Sequence, residues 1–193
     1  MKRHLPFALT TLRLLLGPVA LALAYAAAPR WIFLPLLITG TLSDIFDGIL
    51  ARRFGVATPA LRRYDSITDV IYYLFILGAL WRLAHEVVTR HPLALAVILG
   101  SEAAVILVCA LKFRKYPATH SWLAKTYGLC LLGALVALLA FAAGDWAILT
   151  LAAVAAVTNG EIILLHLLAR TPPVDVPSVF HWYQREKQKV GRK

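Results

Sequence analysis

Six apolar stretches, each about as long as a membrane-crossing helix, are the feature that most limits what this chain can fold into. They run Phe7–Ala27, Trp31–Arg53, Leu61–Leu83, Pro92–Phe113, Trp122–Ala143 and Trp146–Arg170. A helix rises about 1.5 Å per residue, so roughly 20 apolar residues cover a hydrocarbon core of about 30 Å. Ala, Leu, Val and Ile fill these stretches, and no alternation of period two is sustained, which leaves helices as the reading. Helix breakers fall between them: Pro29, Gly55 with Pro59, Pro92, Pro117 and Gly144. Only 16% of the 193 residues are charged, against about 25% in a soluble domain. The expected fold is an all-α integral membrane protein with six transmembrane helices in one domain, residues 1–170. A basic tail, residues 171–193, follows it.

The basic residues orient those helices. With the N-terminus in the cytoplasm, every Lys and Arg falls on cytoplasmic segments except Arg13, Arg30, Arg82 and Arg90. Arg13 lies inside the first helix near its cytoplasmic end, and the other three fall on the far side. Every loop obeys the positive-inside rule, so both termini are expected in the cytoplasm. The net charge of +10 is then explained by topology and by anionic headgroups or phosphates, and no nucleic-acid partner is expected. Lys2-Arg3 before an apolar run, with Ala26-Ala27-Ala28 behind it, resembles a cleaved signal. Arg13 interrupts that run, and its removal would leave an odd number of helices. Cys109 and Cys130 have no metal-type spacing and read as small packing residues.

Against this background the acids stand out. Asp44, Asp47, Asp65 and Asp69 are four of only ten acidic residues and flank a single loop. An acid at a helix centre costs on the order of 2.5–3.5 kcal/mol to insert, which makes each a functional candidate. Asp44 and Asp47 are three apart on the second helix, so they share a face, and Gly48, Ala51 and Gly55 are expected on that same face. Asp65 and Asp69 share a face near the start of the third. A short connection makes the two helices antiparallel neighbours, and all four carboxylates can meet at one depth. Two divalent ions would neutralise them. Mg²⁺ or Mn²⁺ takes oxygen ligands and keeps substrate phosphate oxygens in its shell. Paired ions suit phosphoryl displacement. The small-residue strip admits a diphosphate, for which Arg52 offers a fork. The plainer alternative is interhelical ion pairing with Arg52, Arg53, Arg62 and Arg63.

The stretch Asp44-x2-Asp47-Gly48-x2-Ala51-Arg52, then eight residues, then Leu61-x3-Asp65-x3-Asp69, resembles the signature of the CDP-alcohol phosphatidyltransferases. One position departs: Leu61 stands where the family usually has glycine, on the face of Asp65. The resemblance implies transfer of a phosphatidyl group from CDP-diacylglycerol to an alcohol, with release of CMP. It makes Asp44, Asp47, Asp65 and Asp69 ligands of two Mg²⁺ or Mn²⁺ ions, and Asp69 also the base for the acceptor hydroxyl. Gly48, Ala51 and Arg52 would line the CDP moiety. The opening Leu5-Pro6-Phe7-Ala8-Leu9-Thr10-Thr11-Leu12-Arg13 is similar to that of phosphatidylglycerophosphate synthases, with Phe7 where asparagine is usual, and Thr10 could touch the nucleotide or equally bond its own helix backbone. Ser121, Lys125 and Thr126 resemble a further segment of that subgroup, with Ala124 replacing its glycine. Glycerol 3-phosphate is therefore the first-choice acceptor; Lys112, Arg114 and Lys125 could hold its phosphate, or equally could serve only to enforce topology and bind lipid headgroups. Inositol phosphate, serine and other alcohols stay open. A homodimer in the bacterial inner membrane, with its site facing the cytoplasm, completes the expectation.

Two other classes fit less well. Membrane prenyltransferases bind diphosphate through Asp-rich helices, but in distant halves of a longer chain. A divalent-cation transporter needs a polar path to the far side, and beyond the acids helices two and three offer little except Thr39. Glu102 and Glu161, near mid-helix, read as packing or dimer-interface residues, with His166 or Asn159 as expected partners of Glu161. His85, His91 and His120 read as loop residues without ligand spacing. The tail, with Phe180, Trp182 and Tyr183 among later basic residues, reads as a membrane-surface segment.

Overall fold

A computed structural model of the protein describes residues 4–114, 121–169, 171, 173, 176 and 178–190, with side chains to residue 184 in the last helix. Lys2, Arg3, Lys115, Pro117, His120 and Arg170, on which parts of the sequence reading rest, lie outside the described residues. The described fold is all helical: α1 (Leu5–Tyr25), a 3-10 turn (Arg30–Ile32), α2 (Phe33–Arg53), α3 (Pro59–Arg90), α4 (Pro92–Phe113), α5 (Trp122–Leu139), α6 (Asp145–Leu168) and α7 (Val179–Val190). Six of these, α1 to α6, are long and apolar enough to cross a membrane. Their outward faces carry large apolar side chains in the open, among them Leu15, Leu74, Leu111 and Leu129. A surface of that kind needs lipid to cover it.

The chain forms two compact units, one of residues 1–87 with 135–144 and one of 88–134 with 145–193. In the first unit, α1 turns inward a stripe made of Pro6, Thr10, Arg13, Gly17, Ala20 and Ala24. The steps of three and four residues keep that stripe on one face of the helix. Glycines in and around it set how closely the helices approach. A Cβ on Gly17 would lie 3.2 Å from the Phe75 side chain of α3, and one on Gly40 of α2 would lie 2.5 Å from the Tyr72 hydroxyl. Tyr72 therefore occupies the space where a side chain at position 40 would be.

The α2–α3 connection is closed by local signals. Val56 N–H donates to Ala51 O at 2.9 Å and Gly55 N–H to Arg52 O at 3.2 Å, the paired bonds of a Schellman ending. Gly55 has φ +66, a conformation that costs glycine nothing. It lies past the end of α2 and so is off the face of Asp44 and Asp47, where the sequence periodicity had put it. Thr58 then caps α3, its Oγ1 accepting from Leu61 N–H at 3.2 Å, with Pro59 as the first helical residue.

The helix limits depart most from the hydropathy reading at α3 and α5. α3 begins two residues before Leu61 and continues past Leu83 to Arg90, with a kink at Ala84. The backbone leaves helical geometry at Ala84, so the helical piece that holds the apolar run ends where the hydropathy ends, and a second piece runs on through His85 and Glu86. Arg30 binds the main chain beside that kink, donating to Leu83 O at 2.7 Å and to Leu138 O at 3.2 Å. α5 stops at Leu139, short of the expected Ala143, and Ala142 beyond it has φ 50.

In the second unit Asp145, at the start of α6, meets Arg90 at 3.2 Å and His91 at 3.1 Å. Glu161 has a different partner from those expected: its Oε1 accepts from Val179 N–H at 3.2 Å and so caps α7. Asn159 instead donates to Ser101 Oγ at 2.9 Å, and His166 Nδ1 lies 2.7 Å from Ile162 O. Both are already satisfied without the glutamate.

Candidate active site

The first unit builds the site from three helices. Chain direction alternates through the short connections, so the N-terminal part of α1, the C-terminal part of α2 and the N-terminal part of α3 come to the same end. Asp47 lies six residues inside the end of α2, and Asp65 six residues inside the start of α3. At about 1.5 Å per residue both are about 9 Å in from the helix ends. Asp44, Asp47 and Asp65 each offer a carboxylate oxygen, and these oxygens lie within 4.8 Å of one another. Asp69, one turn further along α3, is tied to this group by a residue that the hydropathy reading treated only as a topological charge.

That residue is Arg13. Its guanidinium sits among all four acids: Nη1 pairs with Asp44, and Nη2 with Asp65, with Asp69 at 3.0 Å and with Asp47 at 3.6 Å. Its side chain is only 2% exposed, whereas those of Asp44, Asp65 and Asp69 are 49%, 35% and 37% exposed. The arginine therefore lies beneath the acids, and three of the carboxylates open to the outside. Its Nε is buried and has no hydrogen-bond partner among the described residues. Ion pairing of the acids was the plainer alternative. It is present, but among the described residues it runs through Arg13 and involves none of Arg52, Arg53, Arg62 and Arg63.

Asp47 is the buried member, with a side chain 5% exposed. The Thr10 hydroxyl lies 2.9 Å from Asp47 Oδ2 and 3.1 Å from Pro6 O, within donating distance of both. Thr10 was expected either at the nucleotide or bonded to its own backbone, and its contact with Pro6 O is the second of these. It is fully buried and also directed at a carboxylate, so its position is one of support. Next to it, Thr11 Oγ1 and Tyr64 OH lie 3.0 Å apart, and Phe7 stacks on Tyr64 with ring centroids 4.9 Å apart. The phenyl ring that replaces an expected asparagine thus fastens the start of α1 to the start of α3.

Four carboxylates around one guanidinium carry a formal charge of −3. Their oxygens converge and are partly open, which is the donor set that hard divalent ions prefer. The residues fit such ions, and the buried cation already among them shows that the site is arranged to hold positive charge.

The model of the family described as CDP-alcohol phosphatidyltransferase matches residues 3–159. The chain belongs to the CDP-alcohol phosphatidyltransferase family. No curated protein and no solved structure gives a significant match. It is a multi-span membrane enzyme of phospholipid biosynthesis, and membership implies CDP-diacylglycerol and an alcohol as its substrates. The acidic cluster is consistent with the metal site typical of this family.

The other expected contacts of this phosphatidyltransferase fall in two places. Gly48 and Arg52 lie one turn apart on α2, and a Cβ on Gly48 would be 3.5 Å from Arg52 Nη1, so the guanidinium folds back over the bare position. Ala51 is buried beside them. Lys112, Arg114 and Lys125 belong to the second unit. Lys112 Nζ donates to Leu167 O at 2.6 Å, Arg114 is the left-handed C-cap of α4, and Lys125 is exposed in the first turn of α5. Ser121 caps α5 through Ala124 N–H at 3.1 Å, and Thr126 bonds back to Trp122 O at 3.2 Å.

Arg13 is the residue that sequence reasoning left out of the site. A signal for it existed. Pro6, Thr10, Arg13 and Gly17 recur at helical spacing in an otherwise apolar run, and an arginine on the same face as a polar threonine needs a buried partner.

Proposed function

We propose that this enzyme transfers the phosphatidyl group of CDP-diacylglycerol to glycerol 3-phosphate at a site facing the cytoplasm. The observation that carries the reading is the meeting of the four signature aspartates with Arg13 and Thr10. Those two residues come from the opening segment that resembles phosphatidylglycerophosphate synthases.

Asp44, Asp47, Asp65 and Asp69 would hold two Mg²⁺ or Mn²⁺ ions, which supply charge stabilisation for the phosphoryl oxygens when bound. Thr10 holds the Asp47 carboxylate in its rotamer. Gly48 leaves the backbone of α2 approachable, and Arg52 donates to the oxygens of the CDP diphosphate, with Ala51 completing that wall. The acceptor hydroxyl oxygen forms a bond to the phosphatidyl phosphorus as the anhydride bond to CMP breaks. Asp69 takes the hydroxyl proton. General-base assistance of this kind contributes roughly 10²–10⁴-fold to rate. Lys112, Arg114 and Lys125 are the acceptor-phosphate candidates.

An acceptor panel tests the proposal. Purified protein in detergent is given CDP-diacylglycerol with Mg²⁺ or Mn²⁺ and, separately, glycerol 3-phosphate, inositol phosphate, serine or phosphatidylglycerol, while CMP and the lipid product are followed. The highest kcat/KM is expected with glycerol 3-phosphate. A higher value with another acceptor refutes the acceptor assignment.

A further inference from the structure

Arg13 is in the wrong place for an enzyme whose carboxylates are permanently occupied by metal. Its Nη atoms pair with one oxygen each of Asp44 and Asp65 and reach one of Asp69 at 3.0 Å, so a like charge stands within a few ångströms of any ion that these carboxylates hold. A small ion such as Mg²⁺ needs its oxygen ligands at about 2.0–2.1 Å in near-octahedral array, and carboxylates drawn onto a guanidinium beside that ion are held away from that array while the two positive charges repel. Arg13 cannot be removed to water easily either, since its side chain is 2% exposed and lies beneath the acids. Its present arrangement is also incomplete. A guanidinium has five N–H donors, and the buried Nε–H of Arg13 has no acceptor among the described residues. A buried donor without a partner carries a desolvation cost, so this pose is not the only one for which the residue is built.

We propose that Arg13 is a built-in competitor for the metal site. It draws the four carboxylates together when no ion is bound, and it must give up Asp44 and Asp65 when divalent ions bind. The inference rests on the metal-dependent reading above and deepens it. The affinity for ions is then reduced by the fraction of protein in which Arg13 is docked. When released, the guanidinium stays within a side-chain length of the acids, where an anionic diphosphate is the ligand it suits. Metal and substrate binding would thereby be coupled through one residue.

The experiment is Mn²⁺ binding to chelator-stripped protein in detergent. Free Mn²⁺ is followed by its EPR signal, thermal unfolding is recorded with and without Mn²⁺, and no lipid substrate is present. Arg13→Gln removes the competing charge while keeping hydrogen-bonding capacity. It is expected to bind Mn²⁺ about tenfold tighter or more, since a like charge a few ångströms from the ion is gone. Its metal-free form should unfold at lower temperature than the wild type, and Mn²⁺ should raise its Tm by more. Arg13→Lys covers the case in which the glutamine variant does not fold. One ammonium cannot bridge Asp44 and Asp65 as a planar fork does, so Mn²⁺ affinity should again rise. Unchanged or weaker Mn²⁺ binding in a folded variant overturns the proposal. A wild-type protein that binds no Mn²⁺ overturns the metal reading itself, so the two failures are distinguishable.

Discussion

Thr10→Val is the most exacting probe of how the site is supported. The substitution keeps the β-branched shape and removes one hydroxyl, so packing in α1 is nearly conserved. The hydroxyl it removes lies 2.9 Å from Oδ2 of Asp47, the acid whose side chain is only 5% exposed. Without it, the nearest cationic atom to that oxygen is Arg13 Nη2 at 3.6 Å, beyond good hydrogen-bond distance. A hydrogen bond to a charged group is worth about 1.5–3 kcal/mol. At about 1.4 kcal/mol per factor of ten, full expression of that loss at the metal site lowers Mn²⁺ affinity by roughly 10- to 150-fold. Losses of about 10- to 100-fold are what removal of a residue supporting a metal ligand typically produces. The assay is Mn²⁺ titration by EPR alongside CMP release at saturating Mn²⁺. Thr10→Ser restores the hydroxyl and should recover most of the loss. Thr11→Val, one residue along, loses the contacts with Phe7 O and Tyr64 OH, neither of which involves the acids, and should leave Mn²⁺ affinity near wild type. A folded Thr10→Val protein with wild-type Mn²⁺ affinity would refute the view that this bond holds Asp47 in place.

EDTA should abolish CMP release and Mg²⁺ or Mn²⁺ restore it, and Asp44→Asn or Asp65→Asn should purify normally but show no turnover. Activity that persists in chelator contradicts the metal assignment. Accessibility labels near Thr58 and at both termini should report the cytoplasm and one near Arg90 the opposite side; a cytoplasmic Arg90 would mean that the number of crossings is wrong. Leu61→Gly restores the family's usual residue at the third position of α3. It should leave Mn²⁺ binding intact while changing CDP-lipid affinity or acceptor preference, and should cost up to about 1 kcal/mol of helix stability. If rate, affinity and preference all stay the same, Leu61 has no influence on the substrate site.

The sequence alone determined the six membrane-length helices, because hydropathy and breakers report a property of each segment by itself. It also determined the pairing of Asp44 with Asp47 and Asp65 with Asp69, since spacings of three and four fix a shared helix face whatever the helix packs against. The helix limits were less legible. Hydropathy ended the third stretch at Leu83, where the backbone leaves helical geometry at Ala84, but it gave no sign of the second helical piece that runs on through His85 and Glu86 to Arg90. Gly55 followed the periodicity of α2 on paper, yet it left the helix face once the Schellman turn took φ +66 there. Glu161 found its partner in the backbone of a helix that starts 18 residues later, a contact that no local pattern encodes. The position of Arg13 was decided by tertiary structure in the same way. Its partners lie 31 and 52 residues away on α2 and α3, and only the close approach of those helices turns a charge near a membrane end into the buried cation of the site. A charged side chain in an apolar run states that it needs a partner; which partner it takes is settled by the packing of the helices around it.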